Sequence, residues 1–173
     1  MVSPEVWQDL HWRYTQWLWP WWLVFVLCNT LVLLKSKRKL FFSYVALCWI
    51  FLGIIYFIRY VHEVHTFAIA MGCGFICQGI ALFYLKVMRT LPEHQENYHG
   101  LRSIALIIYG VTALVPLSYM LENSKETILL FGWGAEQTAV GTVALVLFSF
   151  HRKFEAFLMC IPLIWIGFYF FAL

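Results

Sequence analysis

The sequence predicts an all-α fold, a polytopic transmembrane helical bundle of six spans with both termini on the outer side. Two observations predict it. Of the 173 residues, 62% are hydrophobic and 12% are charged, whereas soluble domains carry about 25% charged residues. The apolar residues are also gathered into stretches of about twenty, the length that an α-helix needs to cross a bilayer. The chain therefore has too little polar surface for a water-soluble body.

We expect an N-terminal amphipathic segment, residues 1–16, followed by a single transmembrane domain, residues 17–173. Ser3, Pro4 and Glu5 are typical of a helix start. The apolar residues that follow recur at helical spacing, which favours a helix in the membrane interface with its apolar face in lipid. An alternative is a polar extension that continues straight into the first span. The six predicted spans cover approximately residues 17–34, 40–60, 66–87, 102–121, 128–150 and 154–173.

The basic residues of the connections predict the orientation. Nine of the twelve Lys and Arg residues lie in or beside the first, third and fifth connections: Lys35, Lys37, Arg38, Lys39, Lys86, Arg89, Arg102, Arg152 and Lys153. Because loops rich in Lys and Arg stay in the cytoplasm, these three connections are predicted to be cytoplasmic. The net charge of +3 is therefore a sign of topology, and we expect no nucleic-acid partner.

A weak internal repeat relates the two ends of the chain. Residues 30–57 align without gaps on residues 144–171, and Arg38-Lys39 falls on Arg152-Lys153. Parallel repeats of this kind occur in transporters, and the plan is similar to the three-plus-one-plus-three sugar-exporter and vitamin-carrier families with the last helix missing. The alternative, which we favour, is that any pair of hydrophobic helices joined by a basic turn looks alike.

Four short stretches carry a resemblance to a known family. They are Tyr14 with Trp19-Pro20, Trp49-Ile-Phe-Leu-Gly-Ile-Ile-Tyr56, Phe131-Gly132, and Ile161-Pro-Leu-Ile-Trp165. Together they resemble an uncharacterised family of small bacterial inner-membrane proteins with roughly six spans. The resemblance implies a multi-pass protein of the bacterial inner (plasma) membrane and supplies no activity. The chain departs from the family after Phe131-Gly132, where relatives often have Pro and Cys and this sequence has Trp133-Gly134-Ala135-Glu136.

The most informative polar residues interrupt the predicted fifth span. A carboxylate at membrane depth costs roughly 2.5–3.5 kcal/mol, so an intramembrane acid such as Glu136 predicts a partner or a cavity. Helical spacing places Gln137 and Trp133 on the same face as Glu136, and a similar face of the second span carries further aromatic and charged residues. If the two faces meet, Arg59 pairs with Glu136 in an outward-facing pocket. The predicted ligand-binding residues are Glu136, Gln137, Arg59, Trp133, Tyr56, Tyr60 and Glu63.

These residues predict a membrane protein that binds or transports a small polar or cationic molecule through that pocket, because charge and aromatic faces suit such ligands. An alternative for the site is a buried ion pair that only orients two helices. The alternative function is a non-catalytic accessory or scaffold subunit of a membrane protein complex. The partners considered are a membrane protein and a second copy of the chain. We expect no enzyme activity and no cofactor, since no Ser–His or paired-carboxylate arrangement is evident. A metal site at His62 and His65 is a less favoured reading, because no third ligand is identifiable.

Overall fold

The computed structural model describes residues 4–35, 38–88, 132, 134–149 and 158–172, and it builds these ranges from helices joined by turns. The prediction of an all-helical protein is confirmed for this part of the chain. The predicted fourth span, residues 102–121, lies outside the described residues. The α-helices are α1 Pro4–Leu18, α2 Trp22–Lys35, α3 Arg38–Phe51, α4 Ala68–Met88, α5 Ala135–Ser149 and α6 Cys160–Ala172.

Helix α3 does not end at Phe51 but changes its winding. A π-helical segment, Leu52–Tyr60, continues it, and a 3₁₀ turn, Val61–Glu63, closes it. Within the described ranges, one helix, Phe42–Glu63, is long and apolar enough to cross a membrane by length and composition, and Ala68–Tyr84 is a shorter apolar helix.

Helix α4 lies close against α3 along a seam of three glycines, Gly53, Gly72 and Gly79. A Cβ atom on Gly72 would stand 2.8 Å from the Gly53 carbonyl oxygen, and one on Gly53 would stand 2.7 Å from the Gly72 carbonyl oxygen. A Cβ atom on Gly79 would lie 2.7 Å from the Ala46 carbonyl oxygen. The backbones of the two helices therefore touch directly, as small residues permit in helical membrane proteins.

Aromatic side chains fill the space between this helix pair and α6. The Phe75 ring lies 4.5 Å from Trp49 and 4.6 Å from Phe57, measured between centroids. The Trp165 ring of α6 meets Phe57 and Phe75 edge-on, at 5.1 Å and 5.4 Å. Edge-to-face pairs at such distances add to the stabilisation from burial. These rings therefore hold α6 against the α3–α4 pair.

Helix α5 is joined to α3 by a buried hydrogen bond. The Trp49 indole Nε1–H donates to the Thr142 hydroxyl at 2.8 Å, and that hydroxyl donates in turn to the Thr138 carbonyl oxygen at 2.6 Å. The sequence predicts a stripe of small residues here, and Gly134, Thr138 and Thr142 are all buried in the structure. The stripe lets α5 approach closely enough for the indole to reach the threonine.

The Trp49–Thr142 hydrogen bond gives a first testable prediction. Thr142→Val keeps the shape of the side chain but leaves the buried indole N–H without its acceptor, which costs about 1–3 kcal/mol of unfolding free energy. Unfolding in a mild detergent measures this loss, and Thr142→Ser should retain most of the stability. Removing both partners, with Trp49→Phe and Thr142→Val, should cost less than the sum of the single changes. Strict additivity of the two changes would contradict the bond.

Helix α1 packs on the protein more than the sequence suggests. We expected its apolar face to lie in lipid, yet Leu10, Tyr14 and Leu18 are buried. Other large side chains of this helix and of the turn that follows it are exposed: Val6, Trp12, Trp17, Trp19 and Trp21. The reason is that the apolar residues of α1 occupy two sides of the helix, and one of these sides meets α3. A 3₁₀ turn, Trp19–Trp21, then joins α1 to α2.

Candidate functional site

The beginning of α5 is shaped by a tight turn at Gly132. This residue has φ +87°, a left-handed conformation that glycine adopts without steric cost. The Thr138 hydroxyl stabilises the turn twice, because it accepts a hydrogen bond from the Gly132 N–H at 2.9 Å and donates one to the Gly134 carbonyl oxygen at 2.7 Å. The sequence predicts a helix from about residue 128. Residues 128–131 lie outside the described residues, Gly132 has a positive φ, and α5 begins at Ala135.

The turn at Gly132 is inserted between α2 and α3. A Cβ atom on Gly132 would lie 2.9 Å from the Cys48 Sγ atom of α3 and 3.3 Å from the Phe25 ring of α2. Cys48 is near the middle of the long helix that α3 begins. The first turn of α5 therefore starts inside the bundle.

Glu136 and Gln137 occupy this first turn of α5. Glu136 is half-buried and Gln137 is 1% exposed. The Oε1 atom of Gln137 has no hydrogen-bond partner within the part of the chain that the structure describes. Glu136 is an acidic residue in the first turn of its helix, where the N–H groups of the helix N-terminus favour a negative charge nearby. The pair supplies hydrogen-bond acceptors at the start of an otherwise apolar helix.

Three tyrosines form a cluster where α1 meets the π-helical segment of α3. Tyr14 lies 5.0 Å from Tyr56 and 5.4 Å from Tyr60 between ring centroids. Tyr56 is buried, and its hydroxyl is hydrogen-bonded to His11 Nε2 at 3.0 Å. We call Tyr14, Tyr56 and Tyr60 the tyrosine cluster. The cluster joins α1 to the π-helical segment that continues α3.

Glu136 influences the pKa of Tyr14, one of the three residues of the tyrosine cluster. Burial raises the pKa of the Tyr14 phenol well above its ordinary value, and the neighbouring Tyr56 and Glu136 raise it further. A raised pKa for tyrosine means that the neutral phenol is favoured. Tyr14 is therefore an uncharged O–H group at neutral pH.

Arg59 and Glu63 are exposed, and both contact side chains of α1. The exposed Arg59 guanidinium lies over the Trp17 ring, 5.8 Å from its centroid. Glu63 stands 4.0 Å from Arg13, which also pairs with Asp9 at 2.8 Å. These side chains are more than half exposed, so the ion pairs contribute little to stability. The pairing of Arg59 with Glu136 stays a prediction.

The winding of the helix explains the position of Arg59. A π-helix bonds residue i to residue i+5 and so holds about 4.4 residues in each turn, against 3.6 in an α-helix. Tyr56 and Tyr60, four residues apart, remain nearly aligned in this geometry, and both reach Tyr14. In π-helical winding, Arg59 is rotated further from the side of the helix that carries Tyr56 and Tyr60 than it would be in an α-helix. Its guanidinium lies over the Trp17 ring.

The remaining sequence candidates are placed as follows. His62 is exposed, and the Nδ1 atom of the half-buried His65 accepts a hydrogen bond from the Phe67 N–H at 3.3 Å. Across the described ranges, no three His, Cys, Asp or Glu side chains are grouped to hold a metal ion. Trp133 lies outside the described residues.

The sequence analysis did not identify Tyr14 and His11 as residues of the site. Both sit on α1, which we expected to face lipid, and both contact Tyr56. The sequence did contain an indication of this contact. Leu10, Tyr14 and Leu18 follow one another at intervals of four residues, so they lie on one side of a helix. Such a stripe is typical of a helix that packs against protein.

Comparison with known proteins identifies a family whose function is unknown. A family model described as a family of unknown function, DUF6064, matches residues 5–171. The match confirms an uncharacterised family, as the resemblance in the sequence implied. Neither the curated proteins nor the solved structures contain a significant match.

Proposed function

The chain belongs to the family of unknown function DUF6064, and we propose from its own residues that it binds or transports a small polar or cationic molecule. We place it in the bacterial inner membrane, as a bundle of six spans with both termini on the outer side. The hydrophobic composition and the basic connections support this topology. Helix Phe42–Glu63 has the length and composition of one such span.

The observation that carries the proposal is the adjacent pair of acceptors at the start of α5. Leaving a buried polar atom without a partner costs about 1–3 kcal/mol, yet Gln137 Oε1 has no donor in the described residues. A bound polar molecule that donates a hydrogen bond to this amide oxygen would offset that cost. The neighbouring carboxylate of Glu136 favours a ligand with positive charge.

The tyrosine cluster has a defined place in this proposal. Tyr56 and Tyr60 form the outer wall of the site together with Tyr14, and α1 covers it. Glu136 is the anchor, and Gln137 orients the ligand. Arg59 and Glu63 are exposed groups at the outer rim, where they influence access more than binding. Trp133, which the sequence places close to Glu136 and Gln137, also belongs to the site in this proposal.

The test compares the unaltered protein with the Glu136→Gln variant and measures whether a small molecule co-purifies with each. The protein is extracted gently and examined by native mass spectrometry, which detects co-purifying compounds and partner proteins in the same measurement. We expect Glu136→Gln to lose a small molecule that the unaltered protein retains, while expression and folding stay normal. The matched control is Glu5→Gln, since Glu5 is an exposed carboxylate of α1 far in sequence from α5. Retention of the molecule by Glu136→Gln would remove Glu136 from the site.

The same measurement separates the second candidate function. A stable complex with a different membrane protein, and no small molecule in any preparation, would favour an accessory or scaffold subunit. Exposed apolar side chains on α2 and α4 are available for such a contact, among them Leu27, Leu31, Ile80 and Phe83. One defined mass with a bound small molecule supports the first function.

A further inference from the structure

We infer that Arg59, held over the Trp17 ring, binds the phosphate group of a membrane phospholipid. The inference rests on the membrane placement that we propose, and it does not depend on the small molecule at Glu136. It gives Arg59 a role other than the pairing with Glu136 that the sequence predicts. Four observations on the surface where α1 meets the π-helical segment support it.

The first observation is that the two arginines of this surface differ in their partners. Arg13 of α1 pairs with Asp9 at 2.8 Å and stands 4.0 Å from Glu63, so two carboxylates compensate its charge. Arg59 is also exposed, but no carboxylate pairs with it within the ranges that the structure describes. Its positive charge is therefore available to an anion from outside the chain.

The second observation is the position of Arg59 along this surface. Asp9, Arg13 and Trp17 follow one another at intervals of four residues, so they lie on one side of α1. This side begins with charged residues and ends with an indole ring, and Arg59 contacts that ring. The turn after α1 exposes two further tryptophans, Trp19 and Trp21. Because tryptophan rings are enriched at the level of the lipid headgroups, Arg59 is expected at the depth of the phosphates.

The third observation is how the guanidinium is held. It lies 5.8 Å from the centroid of the Trp17 ring, and Trp17 in turn lies 6.3 Å from Tyr60 of the tyrosine cluster. The ring that supports Arg59 is therefore attached to the body of the protein. A guanidinium has five N–H donors, so it can contact a ring and still donate two parallel hydrogen bonds to a phosphate. Holding the side chain in place beforehand lowers the entropy cost of binding.

The fourth observation favours a lipid phosphate over a free phosphate ion. Between Phe42 and Ile58, on the helix that leads to Arg59, the exposed side chains are Leu47 and Ile54, and both are apolar. A phospholipid would place its phosphate at Arg59 and its acyl chains along these side chains, which removes apolar surface from water. A free phosphate ion would contact the arginine alone and leave them uncovered.

The experiment measures phospholipid binding to the full chain in detergent. The protein is titrated with dioleoyl phosphatidylglycerol, and native mass spectrometry gives the dissociation constant. This lipid carries a phosphate and no ammonium group, so it tests the phosphate alone. Dioleoylglycerol has the same acyl chains without the phosphate and is the matched ligand control. We expect phosphatidylglycerol to bind, dioleoylglycerol to bind far more weakly, and inorganic phosphate at equal concentration not to displace the lipid.

Three variants test the role of Arg59. Arg59→Gln should bind phosphatidylglycerol about tenfold more weakly, as for the loss of hydrogen bonds between charged groups. Arg59→Lys keeps the charge but not the paired donors, so its affinity should lie between that of Arg59→Gln and that of the unaltered protein. Arg13→Gln is the matched control, because Arg13 is an exposed arginine of the same surface whose charge is already compensated. Its affinity for the lipid should be unchanged.

Two results would overturn the inference: equal affinity of Arg59→Gln and the unaltered protein for phosphatidylglycerol, or an equal loss of affinity in Arg59→Gln and Arg13→Gln. Equal binding of dioleoylglycerol and phosphatidylglycerol would also overturn it, since the phosphate would then contribute nothing. The unfolding midpoint of each variant shows whether it is folded. If Arg59→Gln is unfolded, the comparison of Arg59→Lys with the unaltered protein decides in the same way.

Failure of the inference is distinguishable from failure of the proposed function. Glu136→Gln should bind phosphatidylglycerol as tightly as the unaltered protein, because Arg59 is unchanged. If the chain is recovered in the membrane fraction of cells and its lipid binding does not depend on Arg59, only the inference falls. If the chain is absent from the membrane fraction, the proposed membrane placement and the inference fall together.

Discussion

Gly72→Ala should lower the unfolding free energy by about 3 kcal/mol, at the upper part of the usual range for overpacking. The added Cβ atom would stand 2.8 Å from the Gly53 carbonyl oxygen and 2.8 Å from the Ile58 Cγ1 atom. A flexible side chain can rotate away, but a backbone carbonyl can move only if the whole helix moves. Helices α3 and α4 must therefore separate along the glycine seam.

Gly74→Ala is the matched control for this change. Gly74 lies two residues further along the same helix, and a Cβ atom there would meet nothing within 4 Å. Alanine is favoured over glycine in a helix by about 1 kcal/mol, so this variant should be as stable as the unaltered protein or slightly more stable. Unfolding of both variants in the same detergent gives the comparison. Equal stability of the two variants would contradict the close contact between α3 and α4.

Gly132→Ala has the second large expected effect, about 2–4 kcal/mol, because two costs combine. The first is the backbone, since φ +87° is unfavourable for any residue with a Cβ atom. The second is the contact with the Cys48 Sγ atom, at 2.9 Å from the added carbon. The change should also displace the turn that begins α5 and therefore weaken binding at Glu136.

A second substitution separates these two costs. Cys48→Ala removes the sulfur that the new methyl group would meet. In the double variant, Gly132→Ala with Cys48→Ala, we expect the cost of the sulfur contact to disappear, while the backbone cost of about 1–2 kcal/mol and the tighter contact with the Phe25 ring at 3.3 Å remain. Thermal unfolding of the four proteins forms a double-mutant cycle. An absence of coupling between the two positions would show that α5 does not begin against α3.

The sequence was informative about the extent of the apolar helices and about where small side chains are buried. The apolar stretch that we assigned to residues 40–60 corresponds to helix Phe42–Glu63, and residues 66–87 correspond to α4, Ala68–Met88. The small residues Gly134, Thr138 and Thr142 are buried as a stripe. In these cases length, apolarity and side-chain size decide the outcome, and each can be read from a single segment.

The sequence was misleading where tertiary contacts change the local geometry. Nothing in the composition of Leu52–Tyr60 indicates π-helical winding, yet this winding directs Arg59 toward Trp17. Gly132 could be read as a glycine within a helix, because its positive φ depends on the Thr138 hydroxyl bond and on the contact with Cys48. The association of Tyr14 with Tyr56 joins residues 42 positions apart. Periodicity within one segment carries no information on such contacts.

The π-helical segment also bears on the thickness of the proposed membrane. A straight α-helix of the 22 residues from Phe42 to Glu63 would be about 33 Å long, which exceeds the hydrocarbon core of a typical bilayer, about 30 Å. An α-helix that is too long usually tilts or kinks. A π-helix places more residues in each turn and rises less per residue, so it shortens the path. In the membrane topology that we propose, this shortening would let the π-helical segment hold Tyr56, Arg59 and Tyr60 near the membrane surface while the helix stays matched to the bilayer.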